Sequence, residues 1–312
     1  MIDVSIIIVN YNLLDILDNC LKSLENFTTG INYEVIVIDN CTTTGKVEDV
    51  TCKYKNTVLI KNNTNIGFAA ANNQGAKIAK GKYLLILNND VLFIENSVKK
   101  VLQYAESLKE EVIIGCKLLN ADNSLQISIS AFPNVLNSIT ENYFLYKLFP
   151  KSSVMNKYHL NYKNLTETTE VDIVKGAFLF CSKKSYLSLS GFDERFYFYS
   201  EETDFCYRFK NEIGNVLYYP DTSIIHLGGA TTDRDLWFKY KNQTIGKIQI
   251  YQKHFKGFDF FISVFSHYSG LMFRFILYMV GGIFGLNKSL IKKSYYFFKQ
   301  IFVYPKNVFN LS

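Results

Sequence analysis

Lys82-Tyr83-Leu84-Leu85-Ile86-Leu87-Asn88-Asn89-Asp90 is the stretch on which the reading of this chain turns. The unbroken apolar run from Tyr83 to Leu87 describes a strand covered on both faces. It stops on three polar side chains able to hold water, a metal ion or hydroxyl groups. Ligands of open α/β sheets bind outside the carboxyl ends of the strands, so a buried strand that delivers Asp90 to that edge is a functional candidate. Asn and Asp are also the residues that turns favour. From this stretch alone the two readings stand level.

Outward from it, the pattern repeats. Residues 4–9 read as a first buried strand ending on Asn10-Tyr11-Asn12, and Leu14, Leu17, Leu21 and Leu24 follow with helical spacing as far as Phe27. A second strand over 34–38 stops at Asp39-Asn40, a short helix over 47–55 follows, and 58–60 is a third strand. Asn65-Ile66-Gly67 then turns into an Ala-rich helix over 68–79, with Gly81 as its expected terminator. Beyond Asp90 come a helix over 95–108 and a strand over 112–116. This alternation predicts βαβ units and an α/β fold with a mixed, mostly parallel sheet flanked by helices.

The type of site follows from what the first strand lacks. A dinucleotide fold needs G-x-G-x-x-G there, but the residues are Asn10-Tyr11-Asn12-Leu13-Leu14-Asp15 and the first glycine is Gly30. Without that loop or a P-loop, a nucleotide must be held by side chains at strand ends, with a cation meeting the phosphate charge. Asp39 and Asp90 suit those tasks, although Asp39 reads equally well as a turn residue.

After Asp122-Asn123, a hairpin turn, the alternation fades, and 134–170 reads as loops and short helices over the sheet edge. A strand over 171–181 is interrupted by Gly176-Ala177, where glycine marks a close backbone approach. The densest polar cluster follows: Gly191-Phe192-Asp193-Glu194-Arg195 and Glu201-Glu202-Thr203-Asp204-Phe205-Cys206-Tyr207-Arg208. Helical spacing from Thr203 buries Phe205 and Phe209 and lets Asp204 pair with Arg208 in a structural role. Glu201 and Glu202 precede that helix, where acids suit the dipole; simple N-terminal charge and chemistry compete there.

Composition bounds the rest. A chain of 312 residues, 48% hydrophobic with four prolines, forms one large domain or two without a flexible linker. Six cysteines without a C-x-x-C pair argue against a zinc site or disulfide framework and for a reducing compartment. Met1-Ile2-Asp3 runs straight into the first strand, so no signal peptide is expected. Residues 241–312 hold ten of the 34 Lys/Arg and one of the 28 acids, Asp259, making a basic tail on a near-neutral body.

Taken in order, these motifs resemble the family-2 glycosyltransferases of GT-A fold, rhamnosyltransferase-like branch, over about residues 1–235. The matching residues include 4–12, Val37-Ile38-Asp39-Asn40, Asn65-Ile66-Gly67-Phe68 with Asn72, Leu87-Asn88-Asn89-Asp90, Ser124-Leu125-Gln126, Gly176-Ala177, the 191–194 and 201–208 clusters, and His226-Leu227-Gly228-Gly229. The resemblance implies an inverting transfer of a sugar, rhamnose from a dTDP donor being the one considered, from a nucleotide-diphosphate donor to a hydroxyl of a glycan or lipid-linked glycan. It places Asp39 on the base or ribose, Asn10 and Tyr11 in the pocket wall, and Asn12, Asn65, Gly67, Phe68, Asn72, Asn88, Asn89, Gly176 and Ala177 around the donor. Asp90, with His226, would hold a divalent cation (Mg2+ or Mn2+) against the diphosphate. Glu202 matches the general base, with Glu201 the neighbour that competes for that role. One departure is Asn88, where the common metal motif has a second acid. It supports the rival reading, a non-catalytic sugar-nucleotide-binding or scaffolding protein.

The tail, 236–312, is expected to be a helical, aromatic extension of a 1–235 transferase domain. The apolar stretch after Arg274 is short of a span, and Arg274 at a bilayer centre would cost about 2.5–3.5 kcal/mol. An amphipathic element in the headgroup region, its lysines facing anionic lipid, fits both facts. This predicts a cytoplasmic protein, peripheral on the inner face of the membrane. Packing on the body, or a homodimer interface, is the alternative use of the same helices. No nucleic-acid module is visible.

Overall fold

The computed structural model describes residues 1–160, 163, 165–228 and 235–305; Gly229 of the last motif and Lys306 of the basic tail lie outside them. The chain begins β1 (Val4–Asn10), α1 (Leu14–Phe27), β2 (Tyr33–Asp39), α2 (Glu48–Thr51), β3 (Thr57–Lys61), α3 (Phe68–Ile78), β4 (Tyr83–Asn88) and β5 (Val91–Phe93). It continues α4 (Ser97–Ser107), β6 (Val112–Leu119), β7 (Leu125–Gln126), β8 (Ile129–Ser130), α5 (Val135–Asn142), α6 (Leu145–Leu148), β9 (Thr169–Val171), β10 (Ile173–Val174) and β11 (Phe178–Ser182). Last come α7 (Lys183–Ser188), α8 (Glu201–Glu212), β12 (Asn215–His226), α9 (Leu236–His254), α10 (Gly257–Phe284) and α11 (Lys288–Gln300).

These elements form two compact units. The first comprises Met1–Ser130, Asn164–Tyr197 and Glu201–Thr231. Its sheet, ten-stranded among the described residues, has the order β3-β2-β1-β4-β11-β6-β12-β5. Strands β3, β2, β1, β4, β6 and β12 run one way and β11 and β5 the other. The apolar runs behave as their composition requires: Ile6, Ile7, Ile8, Ile36, Val37, Leu85 and Ile86 have no exposed surface. Register then decides where the polar strand ends fall. Asn10 lies beside Asp39 and Val9 beside Asn88, so three strands finish flush. Antiparallel β11 puts Phe178 beside Leu87, and β12 puts His226 beside Val91.

Some sequence expectations are corrected. The 47–55 helix is only Glu48–Thr51. Helix α3 stops at Ile78 with extended Ala79 as its cap, so Gly81 does not terminate it. Gly81 instead lets the chain pass close to β1, where an added Cβ would lie 2.5 Å from the Ser5 nitrogen. Glu201 and Glu202 do not precede α8 but form its first turn. The expected hairpin is present, with Leu118 and Leu119 of β6 facing Gln126 and Leu125 of β7.

The second unit comprises Ala131–Lys163, Phe198–Ser200 and Thr232–Ser312. Here α10, 28 residues long, packs on α5, α9 and α11. Gly270 permits the crossing with α5, since its Cβ would lie 2.7 Å from Asn142 Cβ. Beside buried Ile248, Tyr251 and Leu271 lies a part-buried charge network. Lys247 pairs with Glu141 at 2.8 Å, and Arg274 donates to the Glu141 and Asn142 carbonyls at 2.6 and 3.1 Å. Burial acts to raise the Glu141 carboxyl, but Lys247 and Arg274 hold it below the usual carboxylate range. The outside is apolar: Phe258, Phe265, Ile276 and Ile283 are 77%, 73%, 53% and 55% exposed. Among the described residues α10 is the one helix long and apolar enough, by length and composition, to cross a membrane.

Candidate active site

The flush ends of β1, β2 and β4 continue into loops that side-chain amides tie together. Buried Asn10 accepts from Asn89 Nδ2 at 2.8 Å and donates to Thr42 Oγ1 at 3.3 Å. Asp39, also buried, accepts the Thr42 backbone N–H at 2.9 Å. Asn12 is left-handed (φ 57°) and accepts the Thr43 N–H at 2.7 Å. Tyr11 stays exposed, near enough to the Tyr197 phenol to act with burial in raising its pKa.

Next to these ends lies the turn that opens α3. Asn40, buried beside Asp39, donates to Asn65 Oδ1 at 2.8 Å and to Gly67 O at 3.2 Å, and accepts from the Ile66 N–H at 3.0 Å. Gly67 has φ +89°, and a Cβ there would lie 2.7 Å from Tyr197 O, whereas the Phe68 N–H reaches that oxygen at 2.8 Å. Asn72 has no exposed surface and donates to Phe68 O at 2.9 Å; its buried Oδ1 has no hydrogen-bond partner among the described residues.

Past β4, the Asn88 N–H donates to Ala177 O at 3.3 Å. A Cβ added at Gly176 would meet Glu202 Cβ and Phe68 Cε1, each at 3.9 Å, so this glycine lies where those two side chains converge. Helix α8 is braced to carry Glu202 there. Buried Asp204 pairs with Arg208 at 2.8 Å, and Arg208 donates to Leu189 O at 2.6 Å and Gly191 O at 2.8 Å. Asn73 of α3 donates to Phe192 O at 2.8 Å, fastening the same segment to the sheet's helix layer.

The adjacent acids differ. Glu201 is 5% exposed, and burial, then the neighbouring Glu202 charge, push its carboxyl well above the usual carboxylate range. Glu202 is half-buried, with Lys175 near enough for the two charges to interact. Environment therefore separates two residues that the sequence presents as alike.

On the other side of Asn88, Asp90 Oδ1 and His226 Nε2 face each other at 3.2 Å. Asn88 Nδ2 lies 3.3 Å from the same nitrogen, and Gln126 Oε1 lies 2.6 Å from His226 Nδ1. Among the described residues no group of three or more His, Cys, Asp and Glu gathers. The donor set nonetheless fits a hard divalent cation. Asp90 and His226, one carboxylate and one imidazole 3.2 Å apart, would be the residues to hold it. A diphosphate and water would supply the remaining oxygens.

The structure thus links the expected residues along one edge, from Asp39, Asn10 and Asn65 through Phe68, Gly176 and Glu202 to Asn88, Asp90 and His226. Two contributors received no role from the sequence. Asn40 holds the 65–67 turn, and Gln126 meets His226 from the hairpin. Both lie within motifs of the resemblance, but an amide's partners are visible only once the chain is folded.

The glycosyl transferase family 2 model matches residues 5–179. The poly(ribitol-phosphate) beta-N-acetylglucosaminyltransferase TarP of Staphylococcus aureus is 29% identical over 191 residues, 58% of this chain and 58% of that protein. The rhamnosyltransferase WbbL of Escherichia coli is 25% identical over 231 residues, 72% of this chain and 83% of that protein. An uncharacterized glycosyltransferase of Haemophilus influenzae is 38% identical over 102 residues, and the match takes in only 34% of its length. The chain thus spans less than two thirds of several curated relatives. In fold it is similar to GalNAc-T7 solved with UDP, GalNAc and Mn2+, with a TM-score of 0.54 at 15% identity, covering 72% of this chain and 44% of that one.

Proposed function

The chain belongs to glycosyl transferase family 2, and from that premise we propose that it is an inverting glycosyltransferase of bacterial surface polysaccharide synthesis. It moves a sugar from a nucleotide-diphosphate donor to a hydroxyl of a glycan or lipid-linked glycan. The supporting observation is the shared edge, where Glu202 and the Asp90–His226 pair flank Gly176-Ala177 and Asn88.

Asp39 hydrogen-bonds the base or ribose, with Asn10, Tyr11 and Asn12 walling that end. Asn65, Gly67, Phe68, Asn72, Asn88 and Asn89 border the diphosphate and sugar, and Gly176-Ala177 lines them beside Glu202 and Phe68. Asp90 and His226 hold a divalent cation, which when bound neutralises charge on the departing diphosphate. Glu202 takes the proton of the acceptor hydroxyl as its oxygen bonds to the anomeric carbon and the carbon–diphosphate oxygen bond breaks with inversion. Rhamnose is the donor sugar favoured by similarity to WbbL.

The exposed face of α10, with Lys288, Lys292 and Lys293 beyond it, suits the cytoplasmic surface of an anionic membrane. A homodimer through that face is the reading it competes with.

The test is a panel of UDP- and dTDP-sugars offered to the purified chain with Mn2+, read by thermal shift and by donor turnover. One donor is expected to raise the melting temperature and be consumed. Binding without turnover would support the non-catalytic alternative, and neither would overturn the assignment.

A further inference from the structure

Gln126 sits on the short hairpin after β6, and its hydrogen bonds can be assigned a direction because both ends of the network are obligate acceptors. At one end is Asp122, whose carboxyl is held below the usual range by the Ser124 hydroxyl and N–H. Ser124 Oγ donates to Asp122 at 2.6 Å, so that oxygen must accept from Asn120 Nδ2 at 2.9 Å. Asn120 therefore turns Oδ1 toward Gln126, which donates to it through Nε2 at 2.8 Å. The other end is the His226 backbone carbonyl, which accepts from the same Nε2 at 3.2 Å. With both contacts of the nitrogen made to acceptors, Gln126 Oε1 remains for His226 Nδ1 at 2.6 Å, and only Nδ1–H can complete that bond. In a neutral imidazole, Nε2 then carries its lone pair toward Asp90 Oδ1, an electron-rich oxygen 3.2 Å away. Two lone pairs at that separation repel unless a proton or a metal cation joins them. The Asn88 amide, 3.3 Å from Nε2, is placed to donate to it in the meantime.

We infer that Gln126 is a positioning residue, which through the Asp122–Ser124–Asn120 relay fixes the tautomer of His226 that presents Nε2 for a divalent cation beside Asp90. The inference rests on the metal reading above and deepens it, since it names the residue that prepares one ligand. Partners of this kind set ring orientation and tautomer, and losing them typically costs 10–100-fold in metal affinity.

The experiment compares the intact chain with Gln126→Met and Gln126→Glu. Histidine 15N spectra of the metal-free proteins at mildly alkaline pH are read alongside Mn2+ binding by calorimetry. The parent is expected to show His226 protonated on Nδ1. Gln126→Met should release the ring to the Nε2–H form, now donating to Asp90, and weaken Mn2+ binding by about 10–100-fold. Gln126→Glu gives up the Nε2 donation to Asn120 and the His226 carbonyl but keeps an acceptor for Nδ1–H, and should retain the tautomer. An Nε2–H tautomer in the parent, or a Met variant with unchanged tautomer and affinity, would overturn the inference. Should the parent show the expected tautomer, lost in the Met variant, yet bind no Mn2+, the Gln126 assignment stands and the metal reading of the site falls.

Discussion

The two units solve opposite packing problems. In the first, apolar strands fill the interior and polar side chains collect at one sheet edge, where Asn10, Asp39 and Asn40 are held by amide or backbone partners. In the second, a part-buried Lys247–Glu141 pair and Arg274 join α5, α9 and α10 beside buried Ile248, Tyr251 and Leu271, while Phe258, Phe265 and Ile276 of α10 face outward. Such a network is tolerable because its charges are paired and bonded to carbonyls. An apolar exterior of this length marks a candidate contact surface, for protein or for membrane. The contrast teaches that exposure must be read against the role of each unit: a half-buried carboxylate at a sheet edge is a candidate for chemistry in one, and an exposed phenylalanine is a candidate contact surface in the other.

The largest expected effect breaks the comparison at the sheet edge. Glu202→Gln should lower the turnover number by about 10²–10⁴-fold, the span of general-base catalysis, with donor affinity retained. Glu201→Gln should be nearly silent, because the amide imitates the neutral acid that burial and Glu202 favour at that position. Steady-state kinetics of both variants decide the assignment; equal losses would show that the two acids act as a unit. On the second unit, Phe265→Ser with Ile276→Ser should weaken binding to anionic vesicles by about 10²-fold, since each exposed apolar side chain contributes roughly 1.5 kcal/mol on insertion. Circular dichroism should remain unchanged, as both side chains point away from the interior. Unaltered vesicle flotation, together with a shift from dimer to monomer, would favour the homodimer use of that face.

The smallest effect is a pH dependence. Burial, then Lys247 and Arg274, hold the His267 imidazole well below its usual value, and neither ring nitrogen has a hydrogen-bond partner among the described residues. A depressed folded-state value means that the unfolded chain takes up the proton first. Stability is therefore full above pH about 6.5 and declines as the pH falls toward the folded-state value, by at most about 1.4 kcal/mol per pH unit. Denaturant titrations at several pH values should show this slope, and His267→Leu should flatten it.

Much of the first unit was legible from residue pattern. The run Tyr83–Leu87 reads as a buried strand and the spacing of Leu14 to Leu24 as one helix face, as β4 and α1 bear out. Gly81 misled because a glycine two residues past a helix looks like a terminator, whereas here it answers to Ser5, distant in sequence. Glu201 and Glu202 were inseparable on the page for a related reason: they share a side chain and a neighbourhood in sequence, and differ only in burial.

The sequence by itself determined the strand–helix alternation, the polar strand ends and the family, because periodicity and local motif are properties of consecutive residues. Tertiary structure alone decided which strand ends are neighbours, which of two adjacent acids is buried, and which amide holds His226. Each of these depends on register and burial, and those arise only when segments far apart in the chain are packed together.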